Sequence, residues 1–538
     1  KYSDYFYANF QPGVHGWQYS AVAMAPKKDY TEITVAAVYH YNVNTIYLDG
    51  IQLFKEECGT SYTYDDETGD VISVVDLQKS KTEYKYNTSG DLTEVLENGK
   101  SKMKYTYDSH HNVKTATTNL GVKQSFTYDP YGNNTSVTIE NGTKKLTSEA
   151  SYTDSGNLLD YTKDALGKVT KYGYDPDTNV LKWVQYPEDT TATRTNYDYD
   201  TMYRMAKAEC TTDTGLQQSV NYQYANDLLT DVITPTTHYQ FSYGAFGQRT
   251  AIGTEEQALA TYSYTDDANR YLQQMTYGNS DFVKYTYDDK GRMLTQTYKN
   301  GDTVSYAYDN NGALATVTDS ATGRTTTYYY DLIDRMMKYV ETGTNYFHSV
   351  GYEYDEKNTL SEQVEVINGT THTTAYTYDD DNRIETLTVD GSTITYSYDD
   401  YGRLTKQETK KGETTVLTEE YTFTETTIDG VAVTSSQIAT YKVTSGGQTT
   451  IYTYTYDDNG NILSVSDGTK TTSYVYDSAN QLIRENNQSG NFTHTWQYDN
   501  AGNILNRKEY AYTTGTLGTP TKTVTYGYTD PNWGDLLT

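Results

Sequence analysis

The chain has 538 residues and a formal net charge of −30, with 42 lysines and arginines against 72 aspartates and glutamates; long-range attraction to nucleic acid or to anionic lipid is excluded. Its apolar fraction of 36% includes 61 tyrosines against 10 phenylalanines, so a leucine-rich core is not available and the chain must use wide surfaces where a ring is buried and its hydroxyl finds water or a partner. No apolar run approaches the ~18 residues of a membrane span, and Cys58 and Cys210, far apart and in no metal or redox spacing, read as two buried thiols.

Residues 1–56 carry no repeat. Aromatic residues crowd there (Tyr2, Tyr5, Phe6, Tyr7, Phe10, Trp17, Tyr19), and two alternating stretches, TEITVAAVYHYNV and TIYLDGIQLFKEE, read as strands. The segment Tyr47-Leu48-Asp49-Gly50-Ile51-Gln52-Leu53 resembles the last strand of the jelly-roll modules of carbohydrate-binding domains in secreted bacterial proteins. That resemblance implies the C-terminal part of a β-sandwich over 1–56, with Trp17 as the candidate sugar platform. A plain capping β-segment for the repeat body is the alternative.

From residue 57 to 538 one unit recurs: aromatic-x-Tyr-Asp, a glycine within five residues, an aliphatic residue, then threonine-rich alternation. Counting degraded copies there are about 21, at a mean spacing of ~23 residues, the period of a repeat architecture. The signature residues in the better copies are Tyr64 and Asp65; Tyr107 and Asp108; Tyr287, Asp288 and Gly291; Tyr308, Asp309 and Gly312; Tyr398, Asp399 and Gly402; Tyr456, Asp457 and Gly460; Tyr498, Asp499 and Gly502. The two tyrosines at i and i+2 share one face of a strand. Asp-x-x-Gly is turn chemistry, in which the carboxylate accepts backbone N–H groups and glycine supplies positive φ. A second strand leads through another turn to the next copy, so each unit is a two-stranded hairpin.

Some forty strands at ~4.8 Å would extend on the order of 200 Å, and open twisted sheets curl well before that. The predicted fold is therefore all-β: antiparallel hairpins wound into a spiral, hollow β-shell with almost no helix. Spacing irregularities predict insertions between Phe423 and Tyr456, as an additional hairpin or longer loops, and between Tyr498 and Tyr528. Between Tyr199 and Tyr264 the Asp is lost from every copy, which predicts a less regular sector. Irregular sites are where partner contacts or access to the interior would be sought.

The turns Asp457-Asp458-Asn459-Gly460-Asn461 and Asp379-Asp380-Asp381-Asn382 resemble partial calcium loops but lack the closing glutamate of a complete one; they read as structural turns, with an occasional bound calcium as the minor reading and no other cofactor. His110-His111 reads as a solvated turn rather than a metal site. No carboxylate pair stands apart from the repeating turn positions, and no zinc-protease, serine-hydrolase or phosphate-loop motif occurs, so no catalytic residue is assigned. Trp183, Trp496 and Trp533 are further candidate stacking platforms for sugars, but Trp496 replaces a repeat tyrosine and reads as packing.

The copies YTYDDKGRMLTQ, YAYDNNGALATV, YSYDDYGRLTKQ, YTYDDNGNILSV and YDNAGNILNR resemble the YD or Rhs repeats of bacterial rearrangement-hotspot proteins, wall-associated toxin proteins, insecticidal toxin-complex shells and animal teneurins. The resemblance, from about residue 60 onward, implies a noncatalytic shell of a secreted or surface bacterial toxin protein whose partner is an enclosed C-terminal toxic polypeptide, with an extracellular or cell-surface location. The Asp-Pro-x-Gly cleavage region of such toxins is only faintly echoed at Asp530-Pro531-Asn532-Trp533-Gly534, and the chain stops in mid-repeat, as expected for a piece of a longer protein. The alternative is a surface adhesin or carbohydrate-binding protein that uses the shell as a rigid scaffold, with a glycan or protein receptor as partner.

Overall fold

The computed structural model describes residues 60–538 apart from 77–79, 142–143, 332–333 and 356. The expectations on residues 1–56, including Trp17, and on Cys58 lie outside the described residues. The chain divides into two units, Lys1–Glu56 and Glu57–Thr538, and the described strands all belong to the second.

Among the described residues there are 41 strands in one sheet and no helix. Each strand pairs antiparallel with the next in sequence, as Phe282–Tyr287 does with Met293–Tyr298 and that strand with Thr303–Tyr308. Hairpin turns alternate between two edges of the sheet: the turns that follow Tyr-x-Tyr form one, which we name the YD edge, and the turns that join one unit to the next form the other, the plain edge. Alternate residues of each tyrosine-bearing strand face opposite ways, so that Tyr285 and Tyr287 are half-buried while Thr286 between them is exposed. On the threonine face, hydroxyls pair across strands, as Thr286 with Thr295 and Thr377 with Thr386.

The sheet winds because each YD hairpin carries the same irregularity. Thr286 lies opposite Thr295, but Tyr287 lies opposite Met293, leaving one extra residue on the second strand. The same slip recurs at Tyr107, Tyr308, Tyr378, Tyr398, Tyr456 and Tyr498. A β-bulge bends its strand and increases the local twist, and one bulge per hairpin, always at the same edge, accumulates into curvature. The sector between Tyr199 and Tyr264 was expected to be less regular, yet the slip is present at Tyr224, Tyr243 and Tyr264. Strand register, rather than the aspartate, maintains the ladder there.

After one turn the sheet meets itself. The ninth strand, Lys144–Tyr152, touches the thirty-fourth, Val431–Ser445, through a single parallel pair, Val433 with Lys145. Twenty-five strands per turn at ~4.8 Å give a circumference of roughly 120 Å and a diameter of about 40 Å. The 41 strands therefore make about one and two-thirds windings, and the plain edge of the first winding lies against the YD edge of the second.

Candidate functional site: the tyrosine face and the seam

The repeat aspartates are turn acceptors. Asp288 Oδ1 accepts the N–H groups of Lys290 (2.9 Å) and Arg292 (2.8 Å), and its Oδ2 accepts Arg292 Nε at 2.7 Å. Gly291, at φ +80°, closes the turn. Asp108, Asp309, Asp399 and Asp499 each accept the N–H groups at i+2 and i+4 in the same way, Asp457 accepts Asn461 through N–H and side-chain amide, and Asp65 binds the N–H groups of Glu67 and Thr68. Gly312, Gly402, Gly460 and Gly502 all sit at positive φ. The desolvation that raises the Asp288 and Asp108 carboxyls is outweighed by these hydrogen bonds, which hold both below the usual carboxylate range.

The tyrosine before each aspartate has a separate task. Met293–Tyr298 and Thr303–Tyr308 pair only at their plain-edge ends, from Thr297 opposite Thr303 to Thr295 opposite Ser305, and splay toward the YD edge. There the Tyr308 hydroxyl donates to the carbonyl of Met293 at 2.9 Å. Tyr107 to Leu92, Tyr287 to Leu272, Tyr398 to Ile384, Tyr456 to Ile438 and Tyr498 to Leu482 repeat the bond. Phenylalanine would leave that carbonyl unpaired, which accounts for the preference for tyrosine. Tyr64, at the first described strand, is 54% exposed.

Strand register also assembles groups that sequence reasoning missed. His494 lies directly between Glu485 and Glu509, with ring nitrogens 3.5 and 3.3 Å from their carboxylates, and is flanked by Phe492 and Trp496. His348 meets Glu365 at 2.8 Å and Glu341 at 3.9 Å. On the opposite face His238 bridges Asp231 and Glu255; desolvation lowers its pKa, but the two carboxylates outweigh this and raise it. The pairings join residues up to 17 positions apart, and only the hairpin register could have found them. Among the described residues no group of His, Cys, Asp or Glu has the arrangement of a metal site.

Both calcium-like turns meet a lysine from the other winding. Lys102 Nζ donates to the carbonyl of Asp380 at 2.6 Å and to Asn382 Oδ1 at 3.1 Å, and Thr118 donates to Asp381. Lys168 pairs with Asp458. His111 sits in an exposed turn at φ +66° and contacts Asp91 at 2.9 Å. Trp183 lies against Gly173 with Arg194 4.4 Å over its ring, and Trp533 donates to the Tyr239 hydroxyl at 3.0 Å. Cys210 is free and half-buried, and desolvation raises its thiol pKa. An open groove of about 470 Å³ lies over Thr127, Ser136, Thr147 and Ser151, where the carboxylates Asp129 and Glu149 are already bound by Asn133 and Lys163.

The seam joins partners 257 to 299 residues apart in sequence. Asn358 donates to Asp76, Tyr401 to the carbonyl of Lys144, and the Asp458 N–H to Glu188. Asp213 and Ser478 exchange bonds of 2.8 and 3.0 Å. Beside them Asp477 is 5% exposed; its Oδ2 and the Oε1 of Gln481 are buried without donors. Desolvation raises the Asp477 pKa, against the trend of the repeat aspartates.

A family model for the RHS repeat matches residues 287–323. A comparison with curated protein sequences gave no match. Among solved structures, the crystal structure of TcdB2-TccC3 superposes with a TM-score of 0.59 at 14% identity, covering 87% of this chain and 32% of that one. TcdB2-TccC3 without its hypervariable C-terminal region (TM-score 0.43, 13% identity, 89% of this chain and 34% of that) and the Photorhabdus luminescens Tc holotoxin pore (0.39, 14%, 84% and 30%) are looser superpositions that add no further argument. The chain spans about a third of the length of these structures. Its Tyr-Asp hairpins carry a match to the RHS repeat at residues 287–323, and its wound sheet has the Rhs-shell fold.

Proposed function

We propose that this chain is a noncatalytic section of the shell of a secreted or surface-attached bacterial Rhs-type toxin, and that the shell encloses a toxic polypeptide C-terminal to it. The observation that carries the reading is a single sheet wound past one full turn, so that a wall of about 40 Å diameter closes on itself. The repeat carboxylates are consumed by turn hydrogen bonds, which supports a structural rather than a catalytic role for them. The enclosed toxic polypeptide is the partner this reading requires. The shell's location would be extracellular. Residues 1–56 are assigned to the end of a carbohydrate-binding sandwich, with glycan binding lost on Trp17→Ala as the check.

The test uses the full-length gene product. A C-terminal segment should resist protease while the wall is intact and become cleavable when the wall is unfolded by denaturant. Equal cleavage under both conditions, or a gene that encodes no segment after the repeats, overturns the reading.

A further inference from the structure

Within the ladder, neighbouring strands hold each other by two or more residue pairs, two between Leu181–Gln185 and Thr195–Tyr199 and five between Phe282–Tyr287 and Met293–Tyr298. Across the seam there is one. The rest of the seam is side-chain hydrogen bonds and ion pairs, many half-exposed, a class worth about 0–1 kcal/mol each. Two places are stronger. The hairpin of Thr414–Ile428 and Val431–Ser445, the longest strands of the sheet, reaches over the first winding: Glu425 pairs with Lys144, Ile428 packs on Gly167, and Val433 and Thr434 are buried. At the other end Asp535 accepts from Tyr239 (2.8 Å), Asn503 (3.1 Å) and Thr236, while Trp533 donates to Tyr239 and Gly534 lies on the Thr236 carbonyl. Between these two points the seam depends on Lys168 with Asp458, Glu188 with Asp458 and Asn459, and Asp213 with Ser478, next to the unpartnered oxygen of Asp477.

We propose that the wall opens along this stretch of the seam without unfolding the sheet, with the long hairpin as the fixed side and the Trp533 and Asp535 staple as the latch. Sub-global opening follows the surface with the fewest cohesive contacts, and here that surface runs between windings. The opening is a slot in the wall, bordered by the Asp213 and Ser478 edges. As an exit route for an enclosed polypeptide it rests on the function proposed above, but the opening itself does not.

Two probes read it on this chain. The first is labelling of a single cysteine at Thr237→Cys, a position 6% exposed beneath the staple, with Cys58→Ser and Cys210→Ser as background. The second is amide exchange at Ser478 and Asp458, whose N–H groups are held by Asp213 and Glu188 across the seam. Trp533→Phe with Asp535→Asn should speed labelling and exchange at least about tenfold and leave the ladder amides of Thr286 and Thr295 unchanged. A disulfide formed in Asp213→Cys with Ser478→Cys should slow Asp458 exchange in the otherwise native chain, and reduction should restore it. Unchanged seam exchange in the staple variant, ladder amides accelerating in parallel, or no effect of the disulfide each overturns the proposal. Seam opening without protection of a C-terminal segment in the intact protein would overturn only the proposed function.

Discussion

A repeat aspartate organises its own turn: the groups that Asp288 bonds lie within four positions of it, so a short stretch of sequence contains the whole interaction. Asp288→Ala leaves two N–H groups and the Arg292 guanidinium without their acceptor, read as roughly ten- to a hundredfold faster amide exchange at Lys290 and Arg292. Carboxyls held low in the fold, such as Asp108, Asp129 and Asp288, contribute stability that is complete above their unfolded pKa of about 3.9 and is lost as pH falls through their lower folded values. The turns should therefore keep their circular-dichroism signal down to about pH 4 and lose it below. Asp477 carries the opposite sign. Its pKa is raised, first by desolvation, so its ionised form opposes folding; that penalty is complete above the folded value, shrinks as pH falls below it and is gone below the unfolded value of about 3.9. Asp477→Asn should raise the midpoint of thermal unfolding at pH 7, and the difference from wild type should shrink with falling pH and vanish below about pH 4; destabilisation at pH 7 would refute this. Nothing in YVYDSANQL marks the residue as unusual, because the winding that lies against it is remote in sequence: Asp213, whose charge adds to the desolvation, is 265 positions from Ser478.

At the level of the element, the hairpin and its two-residue alternation follow from Tyr-x-Tyr-Asp, but the reason for tyrosine does not. The phenolic oxygen matters because strands of adjacent hairpins separate toward the YD edge, the edge at which each hairpin also carries its bulge. Tyr308→Phe removes one hydrogen bond and leaves the Met293 carbonyl unpaired, costing about 1–3 kcal/mol. Exchange of the turn amides at Asn311 and Ala313 should rise roughly tenfold or more, while the paired amides at the opposite end of the same strand hold. Equal exchange in wild type and variant would mean that the ring, rather than its hydroxyl, holds the splayed end. The insertion between Phe423 and Tyr456 was legible only as extra length; that it clamps the first winding depends on Lys144, Lys145 and Gly167 lying under it.

For the whole molecule, the repeat says that the sheet must curl but does not set the number of strands per turn. That number is the sum of many small bends, and seam partners share no sequence signature because each edge is built from ordinary turns. The winding nevertheless divides the sheet into unequal regions. Seam hydrogen bonds join residues 76–239 to residues 358–535, so strands in those stretches are held laterally and across an edge, whereas strands between residues 240 and 357 have their lateral partners to rely on. In a repeat array, local stability is close to a sum of neighbour terms, and seam terms of even a few tenths of a kcal/mol per strand accumulate over several strands. Amide exchange under mild urea should therefore begin at the half-exposed first strand Ser61–Tyr64, continue through residues 240–357, and reach the seam-backed strands last. Raising the salt concentration should narrow the gap, since it screens Lys144 with Glu425 and Lys168 with Asp458 and leaves the backbone ladders untouched. If the two regions exchange together at every salt concentration, the wall behaves as one cooperative unit and the seam contributes nothing to its stability.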